Sequence, residues 1–393
     1  MVSALRAGAE ALDYWTTNHI STNYFGLRCV AYGNGRYVAA GGFSDWGVIL
    51  SSEDGQNWLT RSVGGGPGGN SGLAFVESVI YAGGRFVAVG FWGGTAASTN
   101  GIDWTIGNVP APGLTDGLYG VAYGNGTYVA VGGGASYADQ NVFTSSDGIS
   151  WTAQHSTSPA GASLGDVAYG AGRFVAIGIN RGSVNDSGHL YTSTDGTTWT
   201  QQSISGGAQV SFCNGRFLIP LAAGTNLIST TGTGWGVQGT GLTNLLGKIT
   251  YANGSFLARA GSGLAASPDW THWFQYPQTL PGTSTVATDG QRLVTVGNNT
   301  APFVPMYADG YTYVSDLLPG IRLTTARPPT LALSGLAGRS YRIDCVAALA
   351  ASGSNSWQAG TPAQLTNSSV LWTDTAAANA PARYYRAVLL PSP

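Results

Sequence analysis

Apolar and polar positions along the chain follow one short pattern that keeps returning. The alternating stretch Val30-Ala31-Tyr32 runs into Gly33-Asn34-Gly35, then into the nearly unbroken apolar run Tyr37-Val38-Ala39-Ala40-Gly41. A polar cluster, Ser52-Glu53-Asp54-Gly55-Gln56-Asn57, leads on to Trp58. Period-two alternation predicts a strand, and an apolar run bounded by turn residues predicts a strand buried on both faces. Asn-Gly between two such runs is the signal of a two-residue hairpin. Each unit therefore reads as four strands. Strand a is the Val-Ala-Tyr segment and strand b the apolar run. Strand c is short and ends at the Ser, and strand d starts at the Trp.

The pattern recurs at Val121-Ala122-Tyr123-Gly124-Asn125-Gly126 with Ser145-Ser146-Asp147-Gly148-Ile149-Ser150-Trp151, and at Val167-Ala168-Tyr169-Gly170-Ala171-Gly172 with Ser193-Thr194-Asp195-Gly196-Thr197-Thr198-Trp199. Weaker copies end at Trp104, Trp235, Trp273 and Tyr313. Seven closing aromatics, 36 to 48 residues apart, fit the blades of a propeller. The expected fold class is all-β: a seven-bladed β-propeller over 1–320, a linker over 321–329 and a small β-sandwich over 330–393. Tyr14-Trp15-Thr16-Thr17 reads as an extra strand d that closes the ring in the last blade. Tyr311 to Val314 competes for that place.

The repeated turn resembles the Asp box of sialidase-like propellers, the bacterial neuraminidase repeat. That box reads Ser-x-Asp-x-Gly-x-Thr-Trp, whereas these turns read Ser-x-Asp-Gly-x-x-Trp, one residue shorter. The resemblance implies a fold more than an activity, because hydrolases, lyases, lectins and assembly factors share the box. The tail alternates at Thr330–Leu333, Ser340–Val346, Val370–Thr373 and Arg383–Val388. It resembles C-terminal domains of modular secreted bacterial proteins, which implies a secreted or periplasmic, extracytoplasmic location.

Charge narrows the partners. Net charge is −2, charged residues make up 9%, and Lys248 is the single Lys. With no basic block, nucleic acid and anionic membrane are poor partners. No apolar run is long enough to span a bilayer. Cys29, Cys213 and Cys345 give neither a disulfide framework nor metal spacing, and read as small buried residues. No metal and no cofactor is expected. The abundant Gly, 60 in all, is expected to serve many tight turns.

The short a–b and c–d turns share one face of a propeller, and the long, variable b–c and d–a loops share the other. Variable loops on a rigid scaffold carry function, so the site is expected at the channel mouth on that face. Just before the repeated Val/Ile stand Cys29, Ser78, Gly120, Asp166, Gln209, Lys248 and Thr285, and one position earlier Arg28, Glu77, Tyr119 and Gly165. Alternation favours the first set as the channel wall. Asp166, Glu77, Lys248 and His189 are the candidate catalytic groups. Asp45, Trp46, Trp92, Tyr119, Tyr137, Asp139, Arg181 and Asp186 are the candidate ligand contacts. Aromatic rings stack on sugars, and Asp and Arg bond hydroxyls.

These residues suggest a propeller that binds a poly- or oligosaccharide and, as an enzyme, would be a glycoside hydrolase or polysaccharide lyase. Hydrolysis needs two carboxylates across the bond, and a lyase needs a base and a cation. The alternatives are a non-catalytic lectin and a protein-binding assembly scaffold, as among photosystem assembly propellers with similar boxes. The longest loops gather over units one to four, so a single site should lean to that half, with Lys248 reaching in from the other.

Overall fold

The structure is a computed structural model. It describes residues 16–20, 26–43, 45–65, 72–110, 117–133, 142–154, 163–179, 189–221, 224–240, 242, 245–252, 254–261, 263–275, 285–290, 292–298, 310–316, 320–326, 329–334, 340–346, 358–360, 362–365, 369–374 and 384–390.

The described strands before residue 317 pair antiparallel into seven four-stranded groups. Group one runs Gly26–Gly33, Arg36–Phe43, Trp46–Ser52 and Leu59–Gly65 in the predicted order a to d. The later inner strands are Ala74–Ala82, Gly117–Gly124, Ser163–Gly170, Ser211–Cys213, Leu245–Ala252 and Val286–Thr288. Each inner strand packs on the next, and the seventh packs on the first, so the groups close a ring of blades. Strand b explains why: Val38 and Ala40 pack toward Val76 and Phe86 of blade two, while Tyr37 and Ala39 pack toward Val294 and Val296 of blade seven. A strand buried on both faces must be apolar throughout, as the sequence shows. Each fully buried Val or Phe contributes about 1.5–3 kcal/mol.

Of the two candidates for strand d of the last blade, the N-terminal segment takes the place. Thr16–Ile20 pairs with Gly310–Asp316, which pairs with Arg292–Asn298. Gly310–Asp316 is therefore strand c of blade seven, and the N-terminal segment supplies strand d. The expected seventh box, residues 307–313, does not end strand c: Gly310 to Tyr313 lie within it, and residues 307–309 lie outside the described set.

The repeated turn closes on its own side chains. Ser145 Oγ accepts the Gly148 N–H at 2.8 Å, and Asp147 Oδ1 accepts those of Ile149 and Ser150, both at 2.8 Å. In blade two Asn100 Oδ1 accepts from Ile102 and Asp103 in the same way. In blades one and four the Trp Nε1 donates back to the turn, Trp58 to the Gly55 carbonyl at 2.7 Å and Trp199 to the Gly196 carbonyl at 3.1 Å. The amides of Ser150 and Ile149 hold the Asp147 carboxyl at about 2. Burial alone would raise Asp54, but the Asn57 and Gln56 amides outweigh it and hold it at about 2 as well. Carboxyls depressed on folding stabilise the protein above their unfolded value near 3.8, and that stability is lost as pH falls through the folded value. Urea midpoints should therefore drop between about pH 4 and pH 2. Asp147→Asn should flatten part of that drop while keeping the turn, as Asn100 does.

The a–b hairpins have positive φ at both turn residues: 47° and 72° at Asn34-Gly35, 50° and 76° at Asn125-Gly126. Blade four puts Ala171 at 47°, a conformation costly for a residue with a plain Cβ. Ala171→Asn is expected to raise stability by about 1 kcal/mol, measured by urea unfolding.

After the ring, Gly320–Ala326 pairs with Pro329–Ser334, so most of the expected linker is strand. Pro329 of the expected linker starts a strand, and residues 327–328 lie outside the described set. This pair belongs to the first of two three-stranded sheets, the second of which is built on Ser340–Val346. Leu331, Leu333, Tyr341, Ile343 and Leu365 form their common core. No helix among the described residues is long and apolar enough to cross a membrane.

Candidate functional site

Inner strands of all seven blades line one cavity of about 440 Å³. Its polar wall includes Arg28, Cys29, Glu77, Ser78, Tyr119, Asp166, Gln209, Lys248 and Thr285. Six of the seven residues expected as the channel wall line it, all but Gly120, and Arg28, Glu77, Tyr119 and Gly165 reach it from the position before. In blades one to four the register slips at the same place: Leu27/Cys29, Val76/Ser78, Leu118/Gly120 and Leu164/Asp166. The residue skipped is the extra residue of a β-bulge. Arg28, Glu77, Tyr119 and Gly165 are these residues, and they are the more exposed, while Cys29, Ser78, Gly120 and Asp166 are buried.

Three polar side chains of the wall hold blades together. Thr285 Oγ1 accepts the Val30 N–H at 2.9 Å, Asp166 Oδ2 the Val210 N–H at 3.0 Å, and Ser211 Oγ the Ile249 N–H at 2.8 Å. In each case an inner-strand side chain receives an amide from the next blade. Asp166 Oδ1 also meets Lys248 Nζ at 2.8 Å, so both of its oxygens are engaged. Lys248 thus crosses the mouth from blade six to blade four. Its side chain is 28% exposed and that of Asp166 is 3% exposed.

On the other side, Arg28 Nη1 lies 3.6 Å from Glu77 Oε2, and its guanidinium sits 4.5 Å above the Phe75 ring. Phe75 stacks near Phe91 at 5.0 Å, and Phe91 meets Tyr119 edge-on at 6.0 Å. This aromatic row leads into the channel. Phe75 and Trp92 have φ of 25° and 57°, values bulky side chains rarely adopt and which recur at functional sites. Trp92 Nε1 donates to Asp45 Oδ1 at 3.2 Å, joining the b–c loops of blades one and two.

Of the candidate contacts, Trp46 is exposed and Asp45 is committed to Trp92. His189 starts strand c of blade four and is not in the cavity wall. Tyr137, Asp139, Arg181 and Asp186 lie outside the described residues. Phe75 is absent from the sequence-based candidates, because no alternation marks a residue held at positive φ. Cys29 and Cys345 are buried and Cys213 is half-buried. Burial, with help from Glu77, pushes the Cys29 thiol far above its ordinary range, and burial takes Cys213 to about 12. Neither is a thiolate at neutral pH.

No family model matches the chain, and no curated protein matches it in sequence. Among solved structures, that of YCF48 bound to D1 peptide is similar, with 17% identity and a TM-score of 0.55 over 78% of this chain and 97% of that one. The WD40 β-propeller domain of Doa1 is similar with 12% identity and a TM-score of 0.51, again over 78% and 97%. The closed ring of four-stranded blades and these likenesses make the chain a β-propeller.

Proposed function

We propose that the chain is a non-catalytic binding module that takes a segment of another protein at the channel mouth. The observation that carries this reading is the Lys248–Asp166 pair, in which the best-placed carboxylate is spent on an ammonium and a backbone amide. Glycoside hydrolysis needs one carboxylic acid and one carboxylate facing the bond. Glu77 is likewise turned to Arg28, and His189 is outside the cavity wall. An aromatic row beside paired charges suits a polypeptide, whose side chains combine apolar and ionic groups. The similar propeller bound to a peptide supports the same class of ligand. A carbohydrate ligand is the second reading, favoured by Trp46, which is 40% exposed next to Asp45.

The test is binding of a fluorescent peptide library and of a polysaccharide panel to the full chain and to Tyr119→Ala. Peptide binding that weakens roughly 10-fold in the variant, at unchanged melting temperature, supports the proposal. New reducing ends or unsaturated sugars would overturn it in favour of an enzyme. Sugar binding without peptide binding would make the protein a lectin.

A further inference from the structure

The order of blades sorts the mouth charges into two arcs. Lys248 on blade six and Arg28 on blade one flank Thr285 on blade seven. Glu77 on blade two and Asp166 on blade four flank Tyr119 on blade three. A cationic arc therefore faces an anionic one across the cavity. The arcs meet at the Arg28–Glu77 and Lys248–Asp166 contacts. An ammonium carries three donors, so Lys248 has capacity beyond its contact with Asp166.

A cavity of about 440 Å³ has the size of a small-molecule pocket, not of a docking surface. A chain end enters such a hole with one backbone, whereas an internal segment must bring two. A C-terminal residue brings an α-carboxylate, which suits the cationic arc. The opposite arc already holds a guanidinium, since Arg28 lies over Phe75 and beside Glu77. The Arg28–Glu77 distance of 3.6 Å is longer than a charge-assisted hydrogen bond, and the Arg28 side chain is 44% exposed. An incoming basic side chain can take that place between ring and carboxylate, leaving Arg28 to turn to the ligand carboxylate.

We propose that the mouth takes the C-terminal residue of a partner polypeptide ending in arginine or lysine with a free α-carboxylate. This rests on the protein-segment reading above. The cationic arc takes the carboxylate, and Glu77 with the Phe75 and Tyr119 rings takes the side chain. Planar cation faces on aromatic rings favour this polarity over an acidic N-terminal residue bound the other way round.

Four labelled octapeptides of one composition test it by fluorescence anisotropy with the full chain. One ends in arginine as the free acid, one is its C-terminal amide, one has the arginine moved inward, and one begins with a free-amine glutamate. The free acid should bind roughly 10-fold or more tightly than the other three. Lys248→Met should remove most of the acid-over-amide preference, and Glu77→Gln most of the preference for terminal arginine, with melting temperature confirming each fold. Equal binding of acid and amide overturns this inference while leaving a peptide-binding propeller. So does tighter binding of the N-terminal glutamate peptide. If no peptide binds, both proposals fall.

Discussion

Gly124→Ala is expected to destabilise the protein by about 3 kcal/mol, at the top of the range for overpacking. Gly124 ends the inner strand of blade three, and a Cβ placed there would lie 2.1 to 2.2 Å from three ring atoms of Tyr169 in blade four. The same contact recurs around the ring: a Cβ at Gly33 meets Tyr81 at 1.9 Å, and one at Gly170 meets Phe212 at 2.1 Å. These glycines need no unusual φ; what they provide is room for the neighbouring blade's ring. The ring cannot step aside, because Tyr169 packs on Phe174 with centroids 4.6 Å apart. Gly126 is the control. It has a φ of 76° but open space around it, so Gly126→Ala should cost only about 1 kcal/mol, from backbone strain. Urea unfolding of Gly124→Ala, Tyr169→Ala and the double variant separates the two effects. If the blades truly touch here, the double variant should be less destabilised than the sum of the singles. Additive losses would mean that the glycine serves only its own strand.

This contact marks where a sequence reading stops. Strand identity, the four-strand unit and the inter-blade position of strand b follow from apolar periodicity alone. Assigning the glycines to turns was right for Gly35, Gly126 and Gly172 and missed Gly33, Gly124 and Gly170, because spacing along one chain does not show which ring lies across from it. The bulges were legible but unread. Leu27 and Val30 are both buried, three positions apart, as are Leu118 and Val121, and Leu164 and Val167. Strict alternation would put the members of each pair on opposite faces, so an extra residue must stand between them. That residue, Arg28, Tyr119 or Gly165, reaches the channel too, beside Cys29 and Asp166. The pairing of Lys248 with Asp166 was only half legible. A lone Lys opposite an Asp at equivalent blade positions suggested a shared channel, but not that Asp166 also latches blade five.

The latch makes Asp166 the most sensitive polar position of the mouth. Asp166→Ala leaves the Val210 N–H without its acceptor and Lys248 without its counter-charge. Breaking a fully buried pair costs about 3–5 kcal/mol, and the partial exposure of Lys248 places this one near the lower end, about 3. Asp166→Asn keeps an oxygen for Val210 and loses only the charge, so about 1 kcal/mol is expected. Removing both partners, in Asp166→Ala with Lys248→Met, should recover part of the loss, because no ammonium is then left beside an apolar wall. Urea midpoints of the four proteins measure the cycle, and a double variant no more stable than Asp166→Ala would rule out the ion pair as the source of the cost. The ordering also decides how binding data are read. Loss of a ligand in Asp166→Ala reports on the joint between blades four and five as much as on recognition. Lys248→Met leaves that joint in place and exposes the ligand to the missing charge alone. Recognition at this mouth is therefore measured through Lys248 and Arg28, and the integrity of its wall through Asp166.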